Sequence, residues 1–264
     1  MKASNPGARP GKVKVRPDSA AAVRAALREE IAPSPLQRRV ETLLRRTEYR
    51  MVCTPDELLA VQQHRHDEYV AAGNLQPRTD CKLEDENDCG RATRVYTAWL
   101  DGELAGSIRL SVMRGSSREG LTVRCFGDVV HPMLDAGLTV VDPNRLTTTS
   151  TLSRQEPALV FVVLRLATMA TEHYGAQHCL TPIRRQHAPF YRRFLHATRI
   201  CGARQFPGTT AMMELYDVRT ADARCAADLG NPFLIERSGE AASVLAPLSA
   251  LGLAPDRERT AGKA

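Results

Sequence analysis

VYTAWLDGELAGSIRLSV, residues 95–112, consists of two alternating apolar runs joined by Asp101-Gly102. Asp-Gly suits a two-residue type I′ turn, whose central residues both take positive φ, so the stretch predicts a tight β-hairpin. Counting outward from the turn sets Trp99 opposite Leu104 and Val95 opposite Ile108 on one face. Tyr96, Ala98, Leu100, Ser107 and Arg109 share the other. Arg109 is then expected in mid-sheet among apolar neighbours, where an unpaired guanidinium is costly. Either an internal carboxylate or a substrate has to meet it.

Upstream, YRMVCT (49–54) is a short strand that leads into TPDELLAVQQHRHDEYVAAG (54–73), a helix with Thr54 as N-cap, Pro55 in its first turn and Glu57 three residues after the cap. Residues 74–94 are polar and acidic and predict a loop. Downstream, residues 113–144 predict an irregular insertion, and RLTTTSTLS (145–153) a central strand rich in β-branched residues. Ser153 and Glu156 have capping-box spacing before EPALVFVVLRLATMATEHYG, which is apolar nearly all round, as a helix buried on a sheet would be. Arg165 is its lone interior charge. HCLTPIR (178–184), HAPFYRRFLH (187–196) and TTAMMELYDV (209–218) then predict strand, helix and strand. Strands alternating with helices in the order β-α-β-β-β-α-β-α-β predict an α/β protein on a mixed sheet.

The ends differ in character. Residues 1–18, rich in Pro, Gly, Lys and Arg, predict a disordered basic arm. Residues 19–47 predict a helical extension, with Leu36, Val40, Leu43 and Leu44 on one face of the second helix and arginines opposite. Such an amphipathic helix docks on the body by default; the alternatives are a partner or peripheral contact with a membrane. The main domain is expected over 48–219. Residues 220–264, rich in Ala, Gly and Pro, predict a partly disordered extension with one helix near 241–251.

At 264 residues and 43% hydrophobic, the chain can bury one substantial core. It has neither a membrane-length apolar run nor a signal peptide's apolar stretch, so a cytoplasmic protein is expected. Seven cysteines without a C-x-x-C pair argue against a disulfide framework or a zinc knuckle. His64 and His66 sit two apart on a helix and face different ways, so no metal site is expected. The net charge is +6, and all of it falls in one window. Between Glu172 and Glu214 there is no acid, while Arg184, Arg185, Arg192, Arg193, Arg199 and Arg204 lie inside. A focused cationic patch attracts an acidic partner. Phe190 with Phe194 and Tyr191 with Leu195 recur at the four-residue spacing of a helix core face, unlike a base-stacking platform, so no nucleic acid is expected.

The order of strand, helix, Asp-Gly hairpin, Thr-rich strand, apolar helix, strand and H-x-x-F-Y-R-R helix resembles the GNAT superfamily. Within it, the chain is most similar to the branch of the N-acyl amino acid synthases and acyl-homoserine-lactone (autoinducer) synthases. HRHDEYVAAG, DEND with the hairpin's GSIRL, and HAPFYRR carry the resemblance over about residues 49–218. It implies a GNAT-like acyltransferase fold, a central twisted mixed sheet flanked by helices. It also implies Arg65, Asp85, Asp88 and Arg109 as the polar cluster shaping the substrate site, and an acyl chain between strands near 145–153 and 178–184.

The donor implied is an acyl-phosphopantetheine thioester on an acyl carrier protein, with acyl-CoA as the alternative donor, the acceptor is a small amine or amino acid, and no cofactor is needed. Arg184 would meet the pantetheine, and Arg185, Arg192, Arg193 and Arg199 the acidic carrier protein. Thr149, Ser150 and Thr151 would bind the acyl-pantetheine with Arg184, strand amides near Thr149 and Ser150 would polarise the thioester carbonyl, and His187 or Tyr191 would manage protons. There are two departures. The autoinducer synthases place a Glu and an Arg on the fourth strand, where this chain is expected to have TTTSTL, which favours a simpler amine over S-adenosylmethionine. The R/Q-x-x-G-x-G/A loop that binds the coenzyme A pyrophosphate is missing between Ser153 and Leu159. An N-acyltransferase is therefore expected; a homoserine-lactone synthase and a non-catalytic basic module binding carrier protein, nucleic acid or anionic lipid are the alternatives.

Overall fold

The capping box expected at Thr54 is in place in the computed structural model, which describes residues 33–219 and 231–253 apart from 236 and 238. The Thr54 hydroxyl accepts from the Glu57 amide, and the Glu57 carboxylate accepts from the Cys53 and Thr54 amides. The expected basic arm and first helix lie outside the described residues. Helix α1 (Pro35–Arg45) precedes strand β1 (Thr47–Met51), helix α2 (Pro55–Ala71), a 3-10 turn (Glu86–Cys89) and strands β2 (Thr93–Leu100) and β3 (Glu103–Met113). There follow α3 (Leu121–Asp135), β4 (Val140–Thr148), α4 (Ser150–Gln155), α5 (Leu159–His173), β5 (His178–Ile183), α6 (Ala188–Leu195), β6 (Thr198–Gln205), β7 (Met212–Arg219) and α7 (Glu240–Val244).

The seven strands form one sheet in the order β1-β2-β3-β4-β5-β7-β6, antiparallel except for β4 with β5. α5 is buried on one face, against Ile108, Val141 and Tyr216 among others. α3 covers part of the other, where Phe126, Val130 and Leu134 meet Val140, Leu180 and Leu215.

The hairpin register departs from simple counting. Ala98 pairs with Gly106 but Trp99 with Leu104, so Ala105 is an extra, bulged residue. A one-residue slip exchanges the faces of everything beyond it. Arg109 therefore stands opposite Val95, with Ser107 opposite Thr97 and Ser111 opposite Thr93, on a buried polar face away from Tyr96 and Ala98.

Other expectations are corrected nearby. The supposed insertion contains α3, which carries Pro132 and a kink at Phe126 that blur its periodicity. β4 begins at Val140 and ends at Thr148; Thr149 stands at the N-cap of α4, Ser153 lies inside that helix and Glu156 is its C-cap, so the two form no capping box for α5, which starts at Leu159 without a side-chain cap. β6 went unpredicted because TRICGARQ is a mostly exposed edge strand with two register shifts and no alternation of burial.

α1 docks by its apolar face: Val40, Leu43 and Leu44 are buried in the main core, so that face is not available to a membrane. Each such burial contributes about 1.5–3 kcal/mol. The segment after 230 is no frayed end where it is described. Phe233, Leu245, Ala246, Leu251 and Leu253 are core residues, and Phe233 stacks on Phe161 at 5.1 Å. Arg165 donates to the Ile235 carbonyl and to Glu240 at 2.6 Å, which answers its burial. Phe233→Ala should lower the free energy of unfolding by about 3–5 kcal/mol. Urea denaturation checks this; a loss under 1 kcal/mol would show that the segment rests on the core without completing it.

Candidate active site

Beyond Val141 and Cys179, β4 and β5 share no further paired residues. A cleft of about 700 Å³ opens at the parting. Its walls come from β4 (Leu146, Thr147), β5 (Ile183), α5 (Val160, Leu164) and α6 (Phe190, Tyr191), with Glu68 and Tyr69 of α2 at one side. The parting has a local cause. Ser107 of β3 pairs with Thr147 but Arg109 with Asn144, so β4 bulges at Arg145–Leu146, and Arg145 sits at φ 54°, a conformation costing a non-glycine residue about 1–3 kcal/mol.

The end of β4 is pinned from α2. The Thr149 hydroxyl donates its one proton to the Leu104 carbonyl at 2.6 Å, so it accepts from His64 Nε2 at 2.9 Å. That fixes neutral His64 as the Nε2–H tautomer and leaves its buried Nδ1 without a partner among the described residues. One turn later the Glu68 carboxylate accepts from the Ser150 amide at 3.0 Å. The Thr149 amide meanwhile donates to the Ala105 carbonyl. The expectation that strand amides at Thr149 and Ser150 polarise a substrate carbonyl is overturned. Both are engaged, and Ser150 and Thr151 belong to the first turn of α4.

Behind β4 lies the polar cluster. Arg65 donates to Asp88 at 2.8 Å, Arg109 to Asp85 at 2.5 Å and Asp88 at 3.2 Å, and Gln62 to Asp88 at 3.1 Å. The four residues expected together are thus joined. The fifth, Arg145, was missed: it donates to Asp85 Oδ2 through Nε at 3.1 Å and Nη2 at 2.9 Å, and it also lines the cleft. Its signal, an arginine three residues after Asp142, was hidden because β4 was expected to begin at Arg145. With β4 starting at Val140, the fourth strand carries both an acid and an arginine, contrary to the expectation of TTTSTL there. Burial raises the Asp85 carboxyl, but Arg109 and Arg145 outweigh it and hold the group at about 2.

Asp142 has the opposite balance. It is wholly buried under α3, and desolvation pushes it up to about 6 despite donors from Thr122 (2.5 Å) and Asn144 (2.6 Å). It does not line the cleft.

His187 and Tyr191 both line the cleft. Burial and then Arg184 push His187 below the ordinary histidine range, and burial pushes Tyr191 well above the ordinary tyrosine range. Of the cationic window, Arg185, Arg192 and Arg193 are exposed, and Arg192 lies over the Tyr216 ring at 5.6 Å. Arg199 is paired with Glu214 and Arg204 with Asp128, so the patch is narrower than its sequence. No helix among the described residues is long and apolar enough to cross a membrane.

A mixed sheet parted after its fourth strand, with a cleft at the parting and helices on both faces, is a GNAT-like acyltransferase fold. The family described as N-acyl amino acid synthase FeeM matches residues 60–219, and the chain belongs to that family and is an N-acyltransferase. Sequence comparison with curated proteins finds no match. Among solved structures, FeeM, an N-acyl amino acid synthase from uncultured soil microbes, is 18% identical and superposes with a TM-score of 0.54 over 67% of this chain and 93% of its own. BjaI, a CoA-dependent acyl-homoserine lactone synthase, gives 16%, 0.50, 78% and 97%, and the AHL synthase LasI 13%, 0.50, 72% and 97%. At these identities the likeness is one of fold.

Asp142 sets a pH test. A carboxyl raised by folding favours the folded state while protonated, so stability falls as pH rises from its unfolded value near 4 through about 6. Asp142→Asn should therefore gain stability relative to wild type by about 1–2 kcal/mol between pH 5 and pH 8. Urea melts at both pH values check this, and a pH-independent difference would show that Asp142 ionises freely.

Proposed function

We propose that the protein transfers a fatty acyl group from an acyl carrier protein to the amine of an amino acid. The observation that carries this reading is the cleft itself. It is apolar along Leu146, Ile183, Val160, Leu164 and Phe190, ends near exposed arginines at α6, and touches the buried Arg–Asp cluster through Arg145. An acyl chain suits the apolar wall, and its volume lies in the range of small-molecule sites.

A carrier protein as donor is supported by the cationic rim. Arg184 can reach a pantetheine phosphate at the cleft, while Arg185, Arg192 and Arg193 present charge to an acidic surface. The connection from β4 to α5, where a coenzyme A pyrophosphate loop would lie, is occupied by α4 and by Glu156, which is tied to Arg39 at 2.5 Å. The lactone-forming alternative gains from the acid and arginine on β4. Asp142, however, is engaged by Thr122 and Asn144 outside the cleft, so an amino-acid acceptor remains the stronger reading.

Amide formation needs a neutral amine, attack on the thioester carbon and a proton for the departing thiolate. His187 is assigned the base: with its pKa lowered it is neutral at pH 7 and can take the amine proton. Tyr191 stays un-ionised and is assigned a hydrogen bond to the thioester or thiolate. The pH profile of kcat/KM should rise with pH through a value below the usual histidine range, because only neutral His187 accepts a proton. His187→Gln should abolish that limb, and persistence of the limb in the variant would remove His187 from the role.

Reversing Arg192 and Arg193 to Glu should reduce kcat/KM for a carrier-protein donor by tenfold or more, on the order of the loss of electrostatic steering, and spare a free acyl-pantetheine. Salt should depress the wild-type rate with carrier protein, since exposed charges are screened over about 10 Å at 0.1 M. Equal loss with both donors would assign these arginines to the fold. Mass spectrometry of lipid extracts from expressing cells identifies the product: an N-acyl amino acid is expected, a lactone would favour the alternative, and no product would favour a basic binding module.

A further inference from the structure

The cleft wall is lopsided in charge. Arg145, Arg154 and Arg184 line it, and Glu68 is its one acid among the described residues. The arginines repel a cation and attract the phosphate of a donor. A primary amine, however, arrives mostly as an ammonium ion at pH 7, so the acceptor needs an anion on which to settle.

The position of Glu68 follows from a helix that cannot cap itself. Ser150 opens α4, and the Thr149 hydroxyl, engaged with the Leu104 carbonyl, makes no cap bond. Glu68 Oε1 accepts from the Ser150 amide in its place, at 3.0 Å. That bond fixes the carboxylate at the junction of β4 and α4, where Thr148, Ser150 and Ser153 also line the cleft. Glu68 is half-buried, and its Oε2 has no hydrogen-bond partner among the described residues. A carboxylate accepts at both oxygens, so one serves the helix and the other is left for a ligand in the cleft.

We infer that Glu68 receives the amino group of the acceptor. Oε2 binds the ammonium on arrival. After His187 has taken one proton, Oε2 still accepts a hydrogen bond from the neutral amine and so keeps its lone pair directed at the thioester carbon. This rests on the acyl-transfer reading above and deepens it, and it holds whichever donor serves. The carboxylate favours acceptors that arrive charged over nucleophiles that are neutral at pH 7.

Glu68→Gln separates this role from capping, because the amide keeps an oxygen for the Ser150 N–H but loses the charge and the second acceptor. The full chain is assayed with decanoyl carrier protein and with free decanoyl-pantetheine. Amino acids and butylamine serve as acceptors charged at pH 7 and methoxyamine as a neutral one, and mass spectrometry quantifies the amides. Glu68→Gln should raise KM for the charged acceptors by about tenfold or more, the scale of one hydrogen bond to a charged group. The KM values for methoxyamine and donor should stay within about threefold. Glu68→Ala should impair both kinds of acceptor, since it also releases the Ser150 amide.

Equal loss with both kinds of acceptor in Glu68→Gln would make Glu68 a helix cap and nothing more, and so would an unchanged KM for the charged ones. If wild type acylates no amine, the acyl-transfer reading falls on its own. The ammonium site is then judged by calorimetric binding of decylammonium against decanol to wild type, as it is if methoxyamine is no substrate or Glu68→Gln does not fold. A preference for the ammonium of about tenfold supports the site, and equal binding overturns it.

Discussion

Strand β4 keeps its ladder with β3 to Thr148 but leaves β5 after Val141, and the site depends on that parting. Backbone groups released from a ladder inside a protein must find other partners, so such a split needs support on both sides. On the β5 side, β7 pairs all along His178–Ile183. On the β4 side, the bulge at Arg145 redirects the strand, and His64 and Glu68 of α2 hold its end through Thr149 and Ser150. The cleft is thus the outcome of a strained strand clamped at its far end.

The same bulge joins two environments that otherwise have opposite electrostatics. On the rim, Arg185, Arg192 and Arg193 face water, where charge acts at long range and is screened. Behind the strand, Arg65 and Arg109 are buried and fixed by Asp85 and Asp88, where each interaction is stronger and each missing partner dearer. Arg145 belongs to the second group by its hydrogen bonds and to the cleft by its position.

What the sequence disclosed follows from how local each signal is. The Thr54 capping box, the Asp-Gly turn and the apolar faces of α1 and α5 are written in neighbouring residues, and each formed as read. The union of Arg65, Asp85, Asp88 and Arg109 was legible only through the resemblance, because spacing alone does not join a helix, a turn and a strand. The Ala105 bulge carries no signature; a small residue there fits either register, and the slip moved Arg109 to the polar face. Asp142 lay in a stretch that Pro143 disguised as non-strand, which severed it from Arg145 on the same strand, and Arg199 and Arg204 looked free because their acids are distant in sequence.

Helix α1 and the segment from 231 meet over the same face of α5. Arg237 donates to the Leu44 carbonyl at 3.1 Å, Tyr174 to the Ala246 carbonyl at 2.8 Å, and the Ala246 amide to Tyr96 at 3.2 Å. During synthesis, α5 therefore leaves the ribosome with part of its apolar surface awaiting residues about 70 positions later. Closure of so long a loop is slow by entropy alone. The nascent chain passes through an interval with its central helix half-covered, a state open to chaperones and to aggregation, and the emergence of residues 231–253 is what ends it.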